Sequence, residues 1–200
     1  MADKSATMPA SPIALEDAAA VRQVQDGDMG AFSRLVAKYQ DRVVNICWRV
    51  CGNLEDAQDL AQETFLQALQ KIGSYRFAAS FYTWLFRIAV NQALSHRRKS
   101  RRITLSLHDG DGEWPEGAAE GRTPADEEPL ARLAARELQQ RLLRGLDSLD
   151  DDYRAIIVLR DIESLDYQEI AEILEISVGT VKSRLHRARM ALREKIKATD

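Results

Sequence analysis

The chain is poor in the residues that mark several whole protein classes. It has two cysteines, five prolines and three histidines among 200 residues, and aromatics make up 6%. Cys47 and Cys51 stand four apart, so on a helix they share a face. Without further cysteine or histidine partners they make a poor metal site, and buried apolar thiols are expected. Scarce aromatics disfavour an all-β fold. No long apolar run is present, so no membrane insertion is expected, and the N-terminus shows no continuous signal segment. A cytoplasmic protein is the expectation. His96, His108 and His186 are scattered, no nucleophile has an evident base, and no glycine loop is built to cradle phosphate. Neither an enzyme nor a cofactor is expected. The net charge is only -3, so no overall basicity advertises nucleic acid.

What is present is unevenly distributed. The prolines are Pro9, Pro12, Pro115, Pro124 and Pro129. They confine themselves to a small-residue N-terminal tail and to a Gly- and acid-rich middle segment. The stretches between carry helical periodicity and no convincing strand pattern. The expected fold is all-α, in two small helical domains over residues 16–102 and 132–200. A disordered tail (1–15) precedes them and a flexible acidic linker (103–131) joins them. Lys and Arg cluster from Arg97 to Arg102 and again from Lys182 to Lys197, and such local patches hold phosphate even in an acidic chain.

Leu165 to Arg189 reads LDYQEIAEILEISVGTVKSRLHRAR. An apolar, Glu-studded helix with a stripe of Tyr167, Ile170, Ala171 and Leu174 is followed by a break at Glu175–Ser177. A second helix follows, with Val178, Val181, Leu185, Ala188 and Leu192 on one stripe. Ser177 suits an N-cap. Ser183, His186, Arg187 and Met190 fall opposite the stripe, and Thr180, Lys182, Arg184 and Arg189 flank it. That is the layout of a helix-turn-helix, whose second helix enters the DNA major groove. A solvated basic face on an ordinary amphipathic helix is the bland alternative.

The N-terminal stretch reads as four helices: about 18–24, a second capped by Asp28 and ended by Gly52, a third from Leu54 to Ile72, and a fourth from Phe81 to Lys99. Asp56, Asp59 and Glu63 form an acidic ridge on the third. Trp84, Leu85 and Ile88 read as core. Tyr75, Phe77, Phe81 and Tyr82 crowd beside Arg76, Thr83 and Arg87, an interleaving that suits stacked single-stranded bases.

The strings GDMGAFSRLVAKYQDRV, NLEDAQDLAQETFLQAL, Tyr75–Asn91, YRAIIVLRDIESLDYQEIAEIL and SVGTVKSRLHRAR stand in an order and spacing that resemble the extracytoplasmic-function (ECF) sigma factors. These are small bacterial subunits that direct RNA polymerase to promoters. The resemblance spans both helical domains and skips only the tail and the linker. A helix-turn-helix alone would be unspecific; several motifs in register across two domains are not.

The resemblance implies partners and roles. The partners are core RNA polymerase, through its clamp and flap regions, and promoter DNA, duplex at -35 and single-stranded at -10. An anti-sigma factor, often membrane-anchored in the family, is the implied antagonist, and the free chain is expected to be a monomer. Asp56, Asp59, Leu60, Gln62 and Glu63 take the place of the clamp-docking surface. Tyr75, Arg76, Phe77 and Ser80 lie in the loop that captures a flipped -10 base. Phe81, Thr83, Trp84, Arg87 and Asn91 lie on the -10 recognition and melting helix, with Thr83, Arg87 and Asn91 on its polar side. Arg97, Arg98 and Lys99 match phosphate contacts. Ser177, Thr180, Lys182, Ser183, Arg184, His186 and Arg187 match the -35 reader, Thr180 as a phosphate contact.

Three positions depart from the family pattern. Asp150 stands where proline is frequent, His186 where an aromatic or aliphatic residue is frequent, and Tyr82 where a basic residue is common. The linker at 103–131 can reach about 95 Å when extended, against about 70 Å for two turns of duplex. Its acidity suits threading through the polymerase's basic RNA channel, and suits a solubilised spacer equally well. A free-standing helix-turn-helix regulator is the competing reading, and predicts tight duplex binding by the chain alone.

Overall fold

The computed structural model describes residues 12–107 and 141–197, with side chains from residue 15 to 101 in the first segment. Helices α1 (Pro12–Gln25), α2 (Met29–Cys51), α3 (Leu54–Lys71) and α4 (Phe81–Leu107) form the first unit, with a 3₁₀ turn at Ile72–Ser74. The second unit comprises α5 over residues 141–147, α6 (Asp151–Ile157), α7 (Tyr167–Leu174) and α8 (Val178–Lys197). No strand occurs among the described residues, so the fold is all-α as the periodicity predicts.

Local chemistry sets the helix ends. The Asp28 carboxylate accepts from the backbone N–H groups of Gly30 and Ala31 at 2.8 and 3.3 Å, capping α2. Gly52, at φ +96°, ends that helix in the left-handed region. Asn53 caps α3 through the Asp56 N–H at 3.1 Å. Asp166 and Glu169 form a reciprocal capping box at the start of α7. Burial then follows the apolar stripes. Leu35, Ile46, Leu85 and Phe86 centre the first core, and Ile156, Leu159, Ile170 and Ile173 the second.

Two boundaries differ from expectation. Helix α1 includes Pro12, well before Ala18, because the Ala-rich run after it favours helix and proline is tolerated in a first turn. Helix α4 continues past Lys99 and residue 102 to Leu107. Residues 1–11 of the expected tail, and the rest of the expected linker, lie outside the described residues.

The two units pack on one another. Helix α4 lies against α6 and α7, and α2 meets a single π-helical turn, Val158–Ile162, that extends α6. The wide turn closes with Glu163 N–H donating to the Val158 carbonyl at 2.9 Å, and Ser164 follows at φ +59°. Together they turn Glu163 toward α2, where Arg42 donates to it at 3.1 Å through Nε and Nη2.

Candidate functional site

Three surfaces emerge. The first is α8. Ser177 Oγ accepts from the Thr180 N–H at 3.1 Å and so caps the helix as predicted. Val181, Leu185 and Ala188 are buried against α6 and α7. Lys182, Ser183, His186 and Arg187 are exposed on the other side, and Thr180 and Arg184 are half-buried. Arg184 is held by Asp152 at 3.0 Å, and Lys182 lies 5.9 Å from the centre of the Tyr167 ring. Arg189 is fixed by Asp161, whose hydrogen bond holds the guanidinium above its ordinary pKa. The helix carries seven Lys or Arg against one Glu, so its outer face is a cationic rod end presented by a capped turn.

The second surface is α3. Asp59, Gln62 and Glu63 are exposed, and Asp56 is half-buried, 3.8 Å from His96 Nε2. Leu60 does not belong with them. It is buried at 6% exposure, because its side chain completes the stripe packed on α2 and α4. Sequence reasoning missed Leu66, which is 61% exposed. Its spacing from Gln62 and Glu63, four and three residues, was the signal that it shares their face.

The third surface is the 75–80 loop and the outer edge of α4. Here the structure separates residues that the pattern grouped. Tyr75 and Phe81 are core: their rings cluster with Trp84, and the Tyr75 hydroxyl donates to the Ala79 carbonyl. Burial, and then the charge of Asp17, push the Tyr75 phenol up to about 12. Thr83 is buried too, its hydroxyl 2.6 Å from Ser80 Oγ. It does not lie on a polar side, because α4 packs on both flanks and the Ser80 hydrogen bond satisfies the hydroxyl.

What remains on the surface is Arg76 and Phe77. Phe77 stands at φ +58°, with the Arg22 guanidinium 5.3 Å from its ring centre. A left-handed backbone at a bulky residue stores strain of the kind found at functional loops. Further along, Trp84, Arg87 and Asn91 line one groove of about 450 Å³ together with Gln67, Lys71 and Glu175. Arg98 and Lys99 are exposed, whereas Arg97 is only 7% exposed. It is not a free phosphate contact in this arrangement, since Asp147 and Asp151 hold it at 2.8 and 2.9 Å. Tyr82, the departure noted above, packs edge-on to Phe86 at 5.9 Å.

Cys47 is buried and Cys51 half-buried, and neither forms a disulfide. Burial raises both thiols, Cys47 to about 12. Among the described residues no cluster of His, Cys, Asp and Glu is suited to a metal, and no helix is long and apolar enough to cross a membrane.

Residues 35–103 match the family model of sigma-70 region 2, and residues 139–192 that of sigma-70 region 4. The ECF RNA polymerase sigma factor SigW of Bacillus subtilis is 37% identical over 182 residues, covering 88% of this chain and 95% of SigW. The RNA polymerase sigma-H factor of Pseudomonas aeruginosa is 36% identical, covering 88% and 92%. The sigma-E factor of Escherichia coli K12 is 37% identical, covering 91% and 95%. Among solved structures, CnrH in complex with the cytosolic domain of CnrY matches with a TM-score of 0.68 and 25% identity, over 92% of this chain and 99% of that one. The sigma factor RpoE of Bartonella quintana, in complex with the anti-sigma factor NepR, matches with a TM-score of 0.62 and 26% identity, over 83% and 96%. A free-standing regulator built on a helix-turn-helix would not carry the region 2 match that covers α3 and α4. With a basic exposed helix, an acidic ridge and an aromatic-cationic edge in one chain, this protein belongs to the ECF sigma factors.

Proposed function

We propose that the chain is a non-enzymatic, cytoplasmic promoter-specificity subunit, with the three surfaces divided among three contacts. The exposed face of α8 reads duplex -35 DNA: Lys182, Ser183, His186 and Arg187 reach base edges and phosphates, Ser177 and Thr180 hold the backbone at the helix start, and Arg184 joins them once it leaves Asp152. Asp59, Gln62 and Glu63, with Asp56 at the edge, dock on the polymerase clamp, where carboxylates set register against a basic partner. Leu66 supplies an apolar contact at the C-terminal end of that ridge. Arg76, Phe77, Ser80, Trp84, Arg87 and Asn91 take unstacked -10 bases, with Arg98 and Lys99 on the phosphates. Base capture balances the cost of unstacking, so no nucleotide hydrolysis is needed from this chain.

The observation that carries this reading is the single capped α8, exposing Lys182 and Arg187 in a chain whose α3 separately exposes Asp59 and Glu63. CnrH and RpoE were each solved with a partner, RpoE's being an anti-sigma factor. By that likeness an anti-sigma factor, which can be membrane-anchored, covers these surfaces and the chain is otherwise monomeric. The test is run-off transcription with core polymerase on a genomic promoter library. New discrete transcripts that share two upstream elements are expected. Tight duplex binding without polymerase, and no transcripts, would replace this reading with a conventional regulator.

A further inference from the structure

Helix α1 touches the loop that carries Phe77, although none of its residues belongs to the three surfaces described above. The Gln25 side-chain amide has two N–H groups on Nε2, and both go to the root of that loop. Nε2 donates to the Ile72 carbonyl at 2.8 Å and to the Tyr75 carbonyl at 3.0 Å. Those two carbonyls bracket the 3₁₀ turn at Ile72–Ser74, which the Tyr75 N–H closes on the Ile72 carbonyl at 3.1 Å. One turn back along α1, Arg22 lies over the Phe77 ring, its guanidinium carbon 5.3 Å from the centre. Helix α1 is itself anchored. Asp17, 2% exposed, accepts from Lys38 and Tyr39 of α2, and the Tyr39 ring packs 5.8 Å from Phe81 at the start of α4. The far end of the loop is tied by the Tyr75 hydroxyl on the Ala79 carbonyl. Phe77, at φ +58°, therefore stands between two fixed ends with a cation over one face of its ring.

We propose that α1 is the frame of the base-capture loop: Gln25 and Arg22 are positioning residues that hold the Phe77 ring in one place for one unstacked -10 base. This rests on the assignment of the 75–80 loop to -10 DNA. A left-handed phenylalanine is costly and relaxes unless its surroundings hold it. The two Gln25 hydrogen bonds fix the backbone two residues before Phe77, and the Arg22 cation holds the ring itself. With the guanidinium over one face, the other is left for a base. A loose ring stacks on any base, because every base has a π face. A ring fixed beside Arg76 and Ser80 presents one base with a fixed set of polar neighbours, so positioning is read as selectivity at one position more than as affinity.

The test reconstitutes holoenzyme from core polymerase and the full chain, and sequences its run-off transcripts from a promoter library randomised across both upstream elements. Phe77→Ala marks the captured position, as the -10 position whose base preference falls. Gln25→Glu keeps the size of the side chain and replaces its donors with acceptors. It should flatten the preference at that same position by about threefold or more. The -35 preferences should not change, and combining it with Phe77→Ala should add nothing. Arg22→Leu keeps apolar bulk over the ring without the charge and should act at the same position. Both side chains are exposed, and circular dichroism at the assay temperature checks that the variants are folded. An equal loss at every promoter, with the -10 preferences intact, would make Gln25 a structural residue and overturn the proposal. A loss that adds to that of Phe77→Ala overturns it too, since Gln25 would not then act through the ring. If Phe77→Ala flattens a -10 position while both α1 variants leave it intact, the positioning fails and the assignment of the loop stands. If Phe77→Ala changes no -10 preference, the assignment of the loop fails and the proposal with it.

Discussion

Replacing Asp147 with asparagine should destabilise the chain by about 2 kcal/mol, far more than its surface position suggests. The Asp147 carboxylate accepts from Arg154 at 2.6 Å and from Arg97 at 2.8 Å, and those two side chains are 1% and 7% exposed. Burial alone would raise its pKa, but the two guanidinium groups outweigh burial and hold it below the ordinary value. Asparagine keeps the shape and one acceptor while removing the charge. Arg97 retains Asp151, whereas Arg154 is left with the Arg49 carbonyl and a like charge beside it. Breaking a fully buried pair costs roughly 3–5 kcal/mol. Asp147 is 44% exposed, so water screens part of that, and about 2 kcal/mol is the discounted figure. For a chain of this length that is a fall in Tm of about 4–8 °C. Glu175→Gln is the internal comparison: its pair with Arg87 is 40% and 70% exposed and should be worth under about 0.5 kcal/mol. Thermal and urea unfolding of both variants, at low and high salt, decide the matter. A shift under about 1 °C for Asp147→Asn, or one that salt removes, would refute the claim that this contact is buried and holds the units together.

The same carboxylate gives a pH dependence. Its folded pKa is depressed, so its contribution is complete above the ordinary value of 3.8 and is lost as pH falls through the folded value. Scattering should therefore show the domains parting below about pH 4. Gly52 sits at φ +96°, and a Cβ there would meet Arg154 Nη2 and Asp147 Oδ1, both at 3.3 Å. Gly52→Ala should cost about 1–2 kcal/mol in strain and, unlike a surface Gly→Ala change, should enlarge the radius of gyration. Cys47, raised from 9.0 to about 12, should carry roughly a thousandfold less thiolate than an ordinary cysteine near neutral pH. Rapid alkylation by iodoacetamide in the folded protein would contradict that. Arg187→Ala should weaken holoenzyme binding at -35 by about 1–3 kcal/mol, measured by competition footprinting, with no change in Tm.

Much of this was legible in the sequence because it is local. The Ser177 cap, the stripe through Val181, Leu185 and Ala188, and the Asp28 and Gly52 boundaries each depend on a few neighbouring residues. The misplaced residues share one cause. Helical period places a residue on a face, but it does not say how many partners that helix has. Helix α4 packs on α2 and α3 within its own unit and on α6 and α7 of the other, so Thr83 and Arg97, polar by type, are covered. Leu60 lies beside the acids of α3 in sequence yet points into the core. Tyr75 and Phe81 looked like free stacking rings because aromatic crowding marks a core and a base-binding loop alike. Leu66 was readable and overlooked, since an exposed leucine one turn past the acids stands out only once burial is known.

The contact between the domains left almost no trace in the sequence, and this bears on how the charge should be read. Asp147, Asp151, Glu163 and Glu175 lie 50 to 121 residues away from the arginines of the first unit that they hold, with no shared period or motif. The summed charge of -3 therefore conceals two opposed surfaces that neutralise one another across the interface. A DNA-binding chain of mildly acidic composition is expected to bind weakly by composition alone. Here Arg42, Arg87 and Arg97 are each paired with a carboxylate of the second unit, so their charge is offset locally and not only in the sum.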